Sequence, residues 1–419
     1  MTMRRIRTIA IAALGAVAML PAQSGLDGWV TTWTTAQQLI APTGPPRAAR
    51  QKGPEASNLP ASLADQTVRM VAHVSLGGHR VRVELSNMLN AQPLEIGAAH
   101  LATAKAGGEI VDGTDRVLTF GGSASLTIPP GAIAVSDPAD LEVAPLSDIA
   151  VSLYLPRDTG APANHTVGLH TAYISKGNVT GSRSMPDPTT TFAYAWLAGI
   201  DVAASRDAYT VVALGDSITD GFATTRDANM AWPTLLAKRL KENKSTQHVA
   251  VVNQGISGNQ VLRDGAGISA LARLDRDVLT RPGVKWVILL EGINDINIRT
   301  RPNGPNPLTP EELIWGYRQI IERCHAHGIK VMGATLTPAE GVPTYSEHGE
   351  EVRVAANRWI RAKGNFDALV DFDAILRDAQ RPARVKAEGD SGDHIHPNPA
   401  GYKAMADSIP VSVLKGAAK

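Results

Sequence analysis

The two halves of the chain differ in how apolar and polar residues follow one another. Between residues 23 and 200, segments such as 68–75 and 80–86 alternate apolar with polar positions, and turn residues separate them. Gly77-Gly78 and Pro129-Pro130-Gly131 are examples of such turns. A period of two with frequent turns is typical of antiparallel strands that bury one face. This half therefore predicts an antiparallel β-sandwich, with a Pro- and Gly-rich surface loop at 41–62.

From about residue 205, short continuous apolar runs alternate with longer segments of helical character. We expect buried strands near 209–215, 248–253, 285–291, 329–336 and 368–372. Between two of these strands, 309–312 has the pattern of a capping box, and Gly328 fits the end of the same helix. Strands that alternate with helices indicate a parallel α/β sheet. We therefore divide the chain into a β-sandwich domain at 23–200 and an α/β domain at 205–419.

Polar residues follow three of the predicted strands at their carboxyl ends, where open α/β sheets place their chemistry. Ser217 follows Gly215-Asp216 at the end of the first strand. By itself, this serine also fits a simple helix N-cap. Gly258 lies in the loop after the second strand, and Asn294 follows the third. The sequence thus predicts that these three residues come together at one edge of the sheet.

A second candidate segment lies near the C-terminus, where the spacing of Asp393 and His396 lets both side chains lie on one side of a tight turn. A serine hydrolase needs a base, a group that orients the base, and donors for the developing oxyanion. Histidine titrates near neutral pH, which suits His396 to be the base, and Asp393 is placed to orient it. The candidate oxyanion donors are the N–H groups of Ser217 and Gly258 and the side-chain amide of Asn294.

These four segments resemble the sequence blocks of the SGNH (GDSL-type) hydrolase superfamily. Residues 215–217 match its nucleophile block, Gly258 its glycine block, 292–295 its G-x-N-D block and 393–396 its D-x-x-H block, in the family's order. The resemblance covers about residues 205–415. It implies a flavodoxin-like three-layer α/β domain with a five-stranded parallel sheet. It also implies a serine esterase with a Ser-His-Asp triad.

The order of the two domains resembles that of exported bacterial SGNH hydrolases in which a β domain comes first, some of which are carbohydrate esterases. We therefore expect an ester substrate, with an acetylated polysaccharide as the first choice and short-chain lipids or other small esters as the second. The β-sandwich would either bind the polysaccharide or pack on the hydrolase domain and wall one side of the site. Two rival functions are a carbohydrate-binding protein with an inactive hydrolase domain and an acyltransferase.

Several residues near the predicted site have alternative interpretations. His394 competes with His396 as the base, and Asp390 competes with Asp393 as the orienting group. The D-x-x-H spacing favours the second member of each pair, which leaves His394 as a rim or substrate-contacting residue. Asp216 and Asp295 are expected to bond backbone amides of their own loops.

Other polar and aromatic residues allow further predictions. Asp220 and Arg226, just beyond the nucleophile, either pair across the mouth of the site or lie on a solvated surface. Tryptophans within predicted helices are expected to be core residues rather than sugar platforms. These are Trp232, Trp315 and Trp359; Trp29 and Trp33, at the start of the mature chain, fit either role.

Composition narrows the function classes further. The 419 residues carry a formal net charge of +1 with mixed charges, and 43% are hydrophobic. Nothing in this pattern points to nucleic acid. The H-E-x-x-H, C-x-x-C and EF-hand motifs do not occur, and His325 and His327 would point to different faces of a helix. We therefore predict no metal and no other cofactor.

The start of the chain predicts export. Residues 1–22 have a basic beginning, an apolar stretch at 9–20 and small residues after it, as in a signal peptide. An N-terminal membrane anchor is the alternative. Cleavage would give a secreted or periplasmic protein with no membrane span. Cys324 is the single cysteine, so no intramolecular disulfide can form, and we expect a buried structural thiol.

Overall fold

The computed structural model describes residues 28–38, 59–301 and 307–415. The predicted signal peptide and most of the predicted loop at 41–62 lie outside the described residues. Within these ranges, none of the helices has the length and apolar character needed to cross a lipid bilayer.

The N-terminal half consists of short strands, as its alternating pattern predicts. In chain order they are β1 (Gly28–Thr34), β2 (Gln66–His73), β3 (Gly78–Ser86), β4 (Leu94–Ile96), β5 (Ala98–Thr103), β6 (Arg116–Val117), β7 (Leu126–Ile128), β8 (Ile133–Val135), β9 (Ala139–Val143), β10 (Asp148–Leu155), β11 (Asn164–His165), β12 (Ala172–Lys176), β13 (Thr189–Thr191), β14 (Tyr194–Ala195) and β15 (Leu197–Ala204). A short 3₁₀ turn covers Ala106–Gly108.

Two antiparallel sheets of this half pack face to face. One has the strand order β1-β15-β3-β8, with β9 also paired to β3, and the other has the order β13-β12-β2-β10-β5-β6. Apolar side chains from both sheets, among them Val68, Val83, Leu153 and Ile200, form one buried core. The predicted β-sandwich is confirmed. Two smaller ladders, β11-β14 and β4-β7, extend from it.

The C-terminal half alternates strands with helices. Its strands are β16 (Tyr209–Gly215), β17 (Val249–Gly255), β18 (Val284–Leu290), β19 (Lys330–Ala334) and β20 (Ala368–Val370). Its α-helices are α1 (Ser217–Asp220), α2 (Trp232–Lys241), α3 (Ala270–Leu274), α4 (Ile293–Arg299), α5 (Pro310–Ala326), α6 (Glu347–Arg361), α7 (Phe372–Leu376) and α8 (Pro399–Ser408). Single turns of other helical types cover Asp275–Leu279, Ala387–Gly389 and Val411–Leu414.

The five strands of this half form one parallel sheet in the order β17-β16-β18-β19-β20. Numbered along the chain, this is the flavodoxin-like order 2-1-3-4-5, and it confirms the predicted fold. The carboxyl ends of β17, β16 and β18 are neighbours, which brings the three predicted polar loops to one edge. The predicted strand bounds agree with the observed ones to within two residues.

The sequence patterns that predicted the two ends of helix α5 are confirmed. Thr309 and Glu312 form the reciprocal capping box, and Gly328 adopts φ of 68° just after the helix. Cys324 is fully buried on the inner face of α5, where burial raises the pKa of its thiol to about 12. The prediction of a buried structural thiol is confirmed.

The tryptophans divide between core and surface. Trp232 is fully buried and Trp359 is partly buried against the α/β core, as predicted. Trp33 belongs to the sandwich core and contacts Tyr194 with a centroid distance of 4.7 Å. The core assignment of Trp315 is wrong, because 55% of this residue is exposed. It lies on the outer side of α5, opposite the apolar positions that face the sheet.

The sandwich covers the free edge of strand β17. The Ser75 hydroxyl oxygen accepts a hydrogen bond from the N–H of Val251 at 3.0 Å. The Thr34 hydroxyl donates to the carbonyl oxygen of Asn253 at 3.0 Å. Ala250 packs into the sandwich core. An edge strand that would otherwise present unpaired backbone groups is thus occupied from within the same chain.

Candidate active site

A sharp turn places Ser217 between strand β16 and helix α1. The carboxylate of Asp216, the N-cap residue, accepts a hydrogen bond from the N–H of Ile218 at 2.9 Å. A Cβ atom at Gly215 would lie 2.2 Å from the Thr219 hydroxyl oxygen, so only glycine fits before this turn. Ser217 is therefore held at the carboxyl end of β16, the second strand of the sheet, at its topological switch point.

His396 connects Ser217 to Asp393. Its Nε2 atom lies 2.8 Å from Ser217 Oγ, and its Nδ1 atom lies 2.6 Å from Asp393 Oδ2. Because the ionised carboxylate only accepts, Nδ1 carries the proton and Nε2 is left to accept from the serine hydroxyl. The ring of Phe222 packs on the imidazole with centroids 4.3 Å apart. The imidazole is thus fixed in the orientation and tautomer of a base.

Asp393 also closes the turn in which it lies. Its Oδ1 atom accepts hydrogen bonds from the N–H groups of Ile395 and His396 at 3.1 and 2.9 Å. Burial opposes the charged form, but the hydrogen bonds and the neighbouring His396 hold the pKa of Asp393 well below its usual value. The carboxylate therefore stays ionised across the neutral range.

The rival residues form a pair of their own. His394 Nδ1 lies 2.7 Å from Asp390 Oδ2, and the backbone of His394 adopts φ of 69°. The ring packs on Gly341, where a Cβ atom would approach it to 2.8 Å. This contact turns the ring toward the loop after β19, and Asp390 is occupied by His394 rather than by His396.

The predicted oxyanion donors lie on the loops beside Ser217. Gly258 has φ of 82° in the loop after β17, and its N–H has no hydrogen-bond partner among the described residues. Asn294 is the second residue of helix α4, which follows β18, and its Nδ2 atom donates to the carbonyl oxygen of Asn259 at 2.9 Å. That bond uses one of its two N–H groups and ties the two loops together.

Asp295 makes a second tie between the same loops. Its carboxylate accepts from the N–H groups of Val261 and Leu262 at 2.7 and 3.0 Å. The carboxylate also accepts from its own backbone N–H, so Asp295 bonds both its own loop, as predicted, and the loop after β17. Asp216 bonds its own loop, as predicted. Strands β17 and β18 flank β16, so the loops at their carboxyl ends meet beside Ser217, and Val261 and Leu262 come within reach of Asp295.

A buried arginine that the sequence patterns do not reveal as a site residue supports these loops from below. Arg273 donates to the carbonyl oxygens of Gly215 and Gln254 at 3.0 and 2.7 Å and to the side-chain oxygen of Asn259 at 2.9 Å. It also pairs with Asp277 at 3.0 Å. The four-residue spacing of Arg273 and Asp277 in the sequence indicates their ion pair. It does not indicate that Arg273 also donates to the backbone of two strand ends.

Three buried carboxyl groups surround this region. Burial raises the pKa of Asp216 to about 7 and that of Asp295 to about 6. Burial and the charge of Asp216 raise the pKa of Glu291 well above its usual value. Because burial favours their neutral forms, the floor of the site carries less negative charge than three carboxylates would. Electrostatic repulsion of a developing oxyanion by these groups is therefore weaker than it would be with three ionised carboxylates.

Both predictions for Asp220 and Arg226 are wrong. Asp220 is buried and its carboxylate contacts His165 of the sandwich and Ser257 of the glycine loop. The guanidinium of Arg226 lies 3.2 Å from the ring centroid of Phe192, another sandwich residue. Local sequence does not reveal His165 or Phe192 as partners, because both come from the other half of the chain.

Residues 213–404 match the model of the GDSL-like lipase/acylhydrolase family. The matched range contains the turn at Ser217, the two loops that carry Gly258 and Asn294, and the Asp393–His396 turn. The domain is a GDSL-like acylhydrolase. This confirms the resemblance and the enzyme class, since an acylhydrolase of this family is a carboxylic ester hydrolase.

Solved structures similar to about half of this chain include three esterases. A carbohydrate acetylesterase from Sinorhizobium meliloti is 17% identical, with 49% of this chain and 98% of that chain covered and a TM-score of 0.38. An acetyl xylan esterase is 21% identical, with 49% and 99% covered and a TM-score of 0.37. An inhibitor-bound aryl esterase from M. smegmatis is 18% identical, with 50% and 100% covered and a TM-score of 0.39. No curated protein matches this chain.

Proposed function

We propose that this protein is a serine esterase whose nucleophile, base and orienting acid are Ser217, His396 and Asp393. The observation that carries the proposal is the continuous chain of hydrogen bonds from Ser217 Oγ through both imidazole nitrogens to the Asp393 carboxylate, at 2.8 and 2.6 Å. A serine hydroxyl becomes a competent nucleophile when a positioned base accepts its proton. The proposed chemistry uses side-chain and backbone groups of this chain together with water, and it calls on no cofactor.

The reaction then follows from the positions of these groups. Ser217 Oγ attacks the ester carbonyl while His396 takes its proton, and the imidazolium gives this proton to the leaving alcohol. The N–H groups of Ser217 and Gly258 and the amide of Asn294 bind the oxyanion. Water, activated by the same histidine, cleaves the acyl-enzyme and releases the acid.

Replacing Asn294 with alanine should lower kcat by a factor on the order of 10²–10³, because one oxyanion donor is lost. Steady-state kinetics on p-nitrophenyl acetate measure this effect. Since Asn294 also ties two loops, thermal unfolding of the variant must be recorded beside its activity. A folded variant with a near-normal kcat would remove Asn294 from the mechanism.

For the substrate, we propose an acetyl ester on a polysaccharide. Three features support this choice: the export signal predicted from the sequence, the β-sandwich that adjoins the GDSL-like domain, and the family itself. We further propose that residues 1–22 are removed and that 23–200 and 205–419 are the domains of a secreted or periplasmic enzyme. The sandwich would either hold the polysaccharide or contribute only to the fold of the site.

The test is acetate release from acetylated xylan by the mature protein, with Ser217→Ala as the control. We expect release that disappears in the variant. If xylan gives no acetate while a simple short-chain ester is still cleaved in a Ser217-dependent manner, the polysaccharide assignment fails and a small-ester hydrolase replaces it. Failure of a fluorophosphonate probe to label Ser217 would contradict the esterase itself.

A further inference from the structure

A buried carboxylate joins three parts of the molecule behind the nucleophile. Asp220 ends helix α1, three residues after Ser217, and its side chain is 3% exposed. Its Oδ2 atom accepts from the N–H and the hydroxyl of Ser257 at 3.0 and 2.7 Å. Ser257 immediately precedes Gly258, so this carboxylate fixes the peptide unit that carries the proposed oxyanion donor.

The third partner of Asp220 comes from the β-sandwich. His165, at the end of β11, places Nε2 2.9 Å from Asp220 Oδ1, and its side chain is only 4% exposed. Its Nδ1 atom lies 2.7 Å from the carbonyl oxygen of Ala36. A carbonyl oxygen and an ionised carboxylate can only accept hydrogen bonds. Both ring nitrogens must therefore donate, which makes His165 an imidazolium in a buried ion pair with Asp220.

The charge state agrees with the surroundings of the ring. Burial opposes a charged imidazole, but the charge and hydrogen bond of Asp220 and the bond to Ala36 together raise the pKa of His165 above its ordinary value. Buried ion pairs are costly unless every polar atom is satisfied. Here each ring nitrogen and each carboxylate oxygen has a partner. The arrangement is thus a complete network rather than an isolated charge.

The strand that carries His165 is itself fixed to the sandwich. Gln38 donates its N–H to the carbonyl oxygen of Asn164 at 2.9 Å, and its side-chain oxygen accepts from the N–H of Thr166 at 2.8 Å. Leu169 of the following loop packs on Gly221, where a Cβ atom would approach it to 2.8 Å. The sandwich therefore presents His165 to the nucleophile helix from a rigid position.

We infer that His165 of the β-sandwich is a positioning residue for the esterase reaction, acting through Asp220 and Ser257 on the Gly258 N–H. This inference rests on the proposed oxyanion role of Gly258. On this inference, the sandwich helps to stabilise the transition state, and this role is separate from any binding of polysaccharide. Loss of the His165–Asp220 bond should lower kcat, because the donor is displaced, while the KM for a small ester stays nearly constant.

Three variants of the full mature chain separate this role from general loosening of the interface. His165→Asn keeps a donor near the Nδ1 position for Ala36 but removes the donor to Asp220. His165→Gln returns an amide donor near the Nε2 position. His170→Asn is the matched control, because His170 bonds Asn229 across the same interface through Nε2 at 2.7 Å and does not contact Asp220.

A polar cavity of about 80 Å³, lined in part by His165, His170 and Asp220, lies beside the ion pair. Water in this space can solvate the Asp220 oxygen that His165→Asn leaves without its partner. We therefore expect this variant to fold. Should it fail to fold, Asp220→Asn decides instead. A neutral amide oxygen binds Ser257 more weakly than a carboxylate, so kcat should fall several-fold with KM unchanged. An unchanged kcat would overturn the inference.

With p-nitrophenyl acetate, we expect His165→Asn to lose at least tenfold in kcat with KM within twofold. We expect His165→Gln to recover most of the loss and His170→Asn to stay within twofold of the parent. Equal losses in the His165→Asn and His170→Asn variants would overturn the inference, and so would a normal kcat in folded His165→Asn.

Hydrogen–deuterium exchange of the backbone amides in the segment 256–262 tests whether His165 holds this loop, and it does so independently of catalytic activity. Exchange should be faster in His165→Asn and unchanged in His170→Asn. If the parent protein shows no Ser217-dependent ester cleavage, the proposed function fails, and the exchange result still decides whether His165 holds this loop. Unchanged exchange in His165→Asn would then refute the positioning role.

Discussion

The Ser217→Ala variant should lose ester hydrolysis almost entirely, with kcat falling on the order of 10⁶-fold, as for serine hydrolases stripped of the nucleophile. The reason is chemical: alanine leaves His396 with no hydroxyl to deprotonate, and no acyl-enzyme can form. Only the oxyanion donors and substrate binding remain, and these give a small residual rate above that of water. The measurement is single-turnover and steady-state cleavage of p-nitrophenyl acetate at high enzyme concentration.

The matched comparison is the double variant Ser217→Ala/His396→Ala. Because the two residues act as one unit, the double variant should be no slower than either single variant. Activity above about 1% of the parent in a clean Ser217→Ala preparation would mean that another group attacks the ester. Losses that multiply in the double variant would mean that the two residues act in separate steps, contrary to the 2.8 Å contact between them.

Replacing Asp393 with asparagine should lower kcat on the order of 10⁴-fold while leaving the fold intact. In the parent, the ionised carboxylate accepts from Nδ1–H and keeps Nε2 free to take the serine proton. An asparagine amide can instead donate to Nδ1, which places the proton on Nε2, the nitrogen that must act as the base. Steady-state kinetics on a short-chain ester, beside a thermal unfolding curve, check this expectation.

Asp390→Asn is the control for this variant. Asp390 makes the same kind of contact, with His394 at 2.7 Å, within the same turn. Its change should alter kcat by less than about tenfold, because His394 is not bonded to Ser217. If Asp390→Asn lost as much activity as Asp393→Asn, the effect would come from distortion of the shared turn, and the orienting role of Asp393 would be refuted.

The sequence predicted the parts of the molecule that depend on local patterns. Each parallel strand is a continuous apolar run bounded by polar or turn residues, and each site loop follows directly from such a strand. The grouping of Ser217, Gly258 and Asn294 at one sheet edge then follows from topology alone. Asp393 and His396 lie within one turn, so their spacing already constrains their contact.

The contacts that the sequence did not predict join residues that are far apart in the chain. Asp220 looks like an exposed helix-end residue until His165, 55 positions earlier, is placed beside it. Arg273 is charged yet buried, because three backbone and side-chain oxygens from two strand ends meet its guanidinium. The core prediction for Trp315 is wrong because helical periodicity shows which residues share a face of a helix. It does not show which of those faces packs against the sheet.

The contacts of the sandwich with the edge of strand β17 restrict how this two-domain architecture can be engineered. A gene fragment encoding the GDSL-like domain alone would yield a sheet with a bare border, open to pairing between molecules. Recombination that exchanges the sandwich for an unrelated module would have to supply new groups in place of Ser75 and Thr34 at the same time. We therefore expect the two halves of this chain to tolerate engineering as one structural unit, and not as separately exchangeable domains.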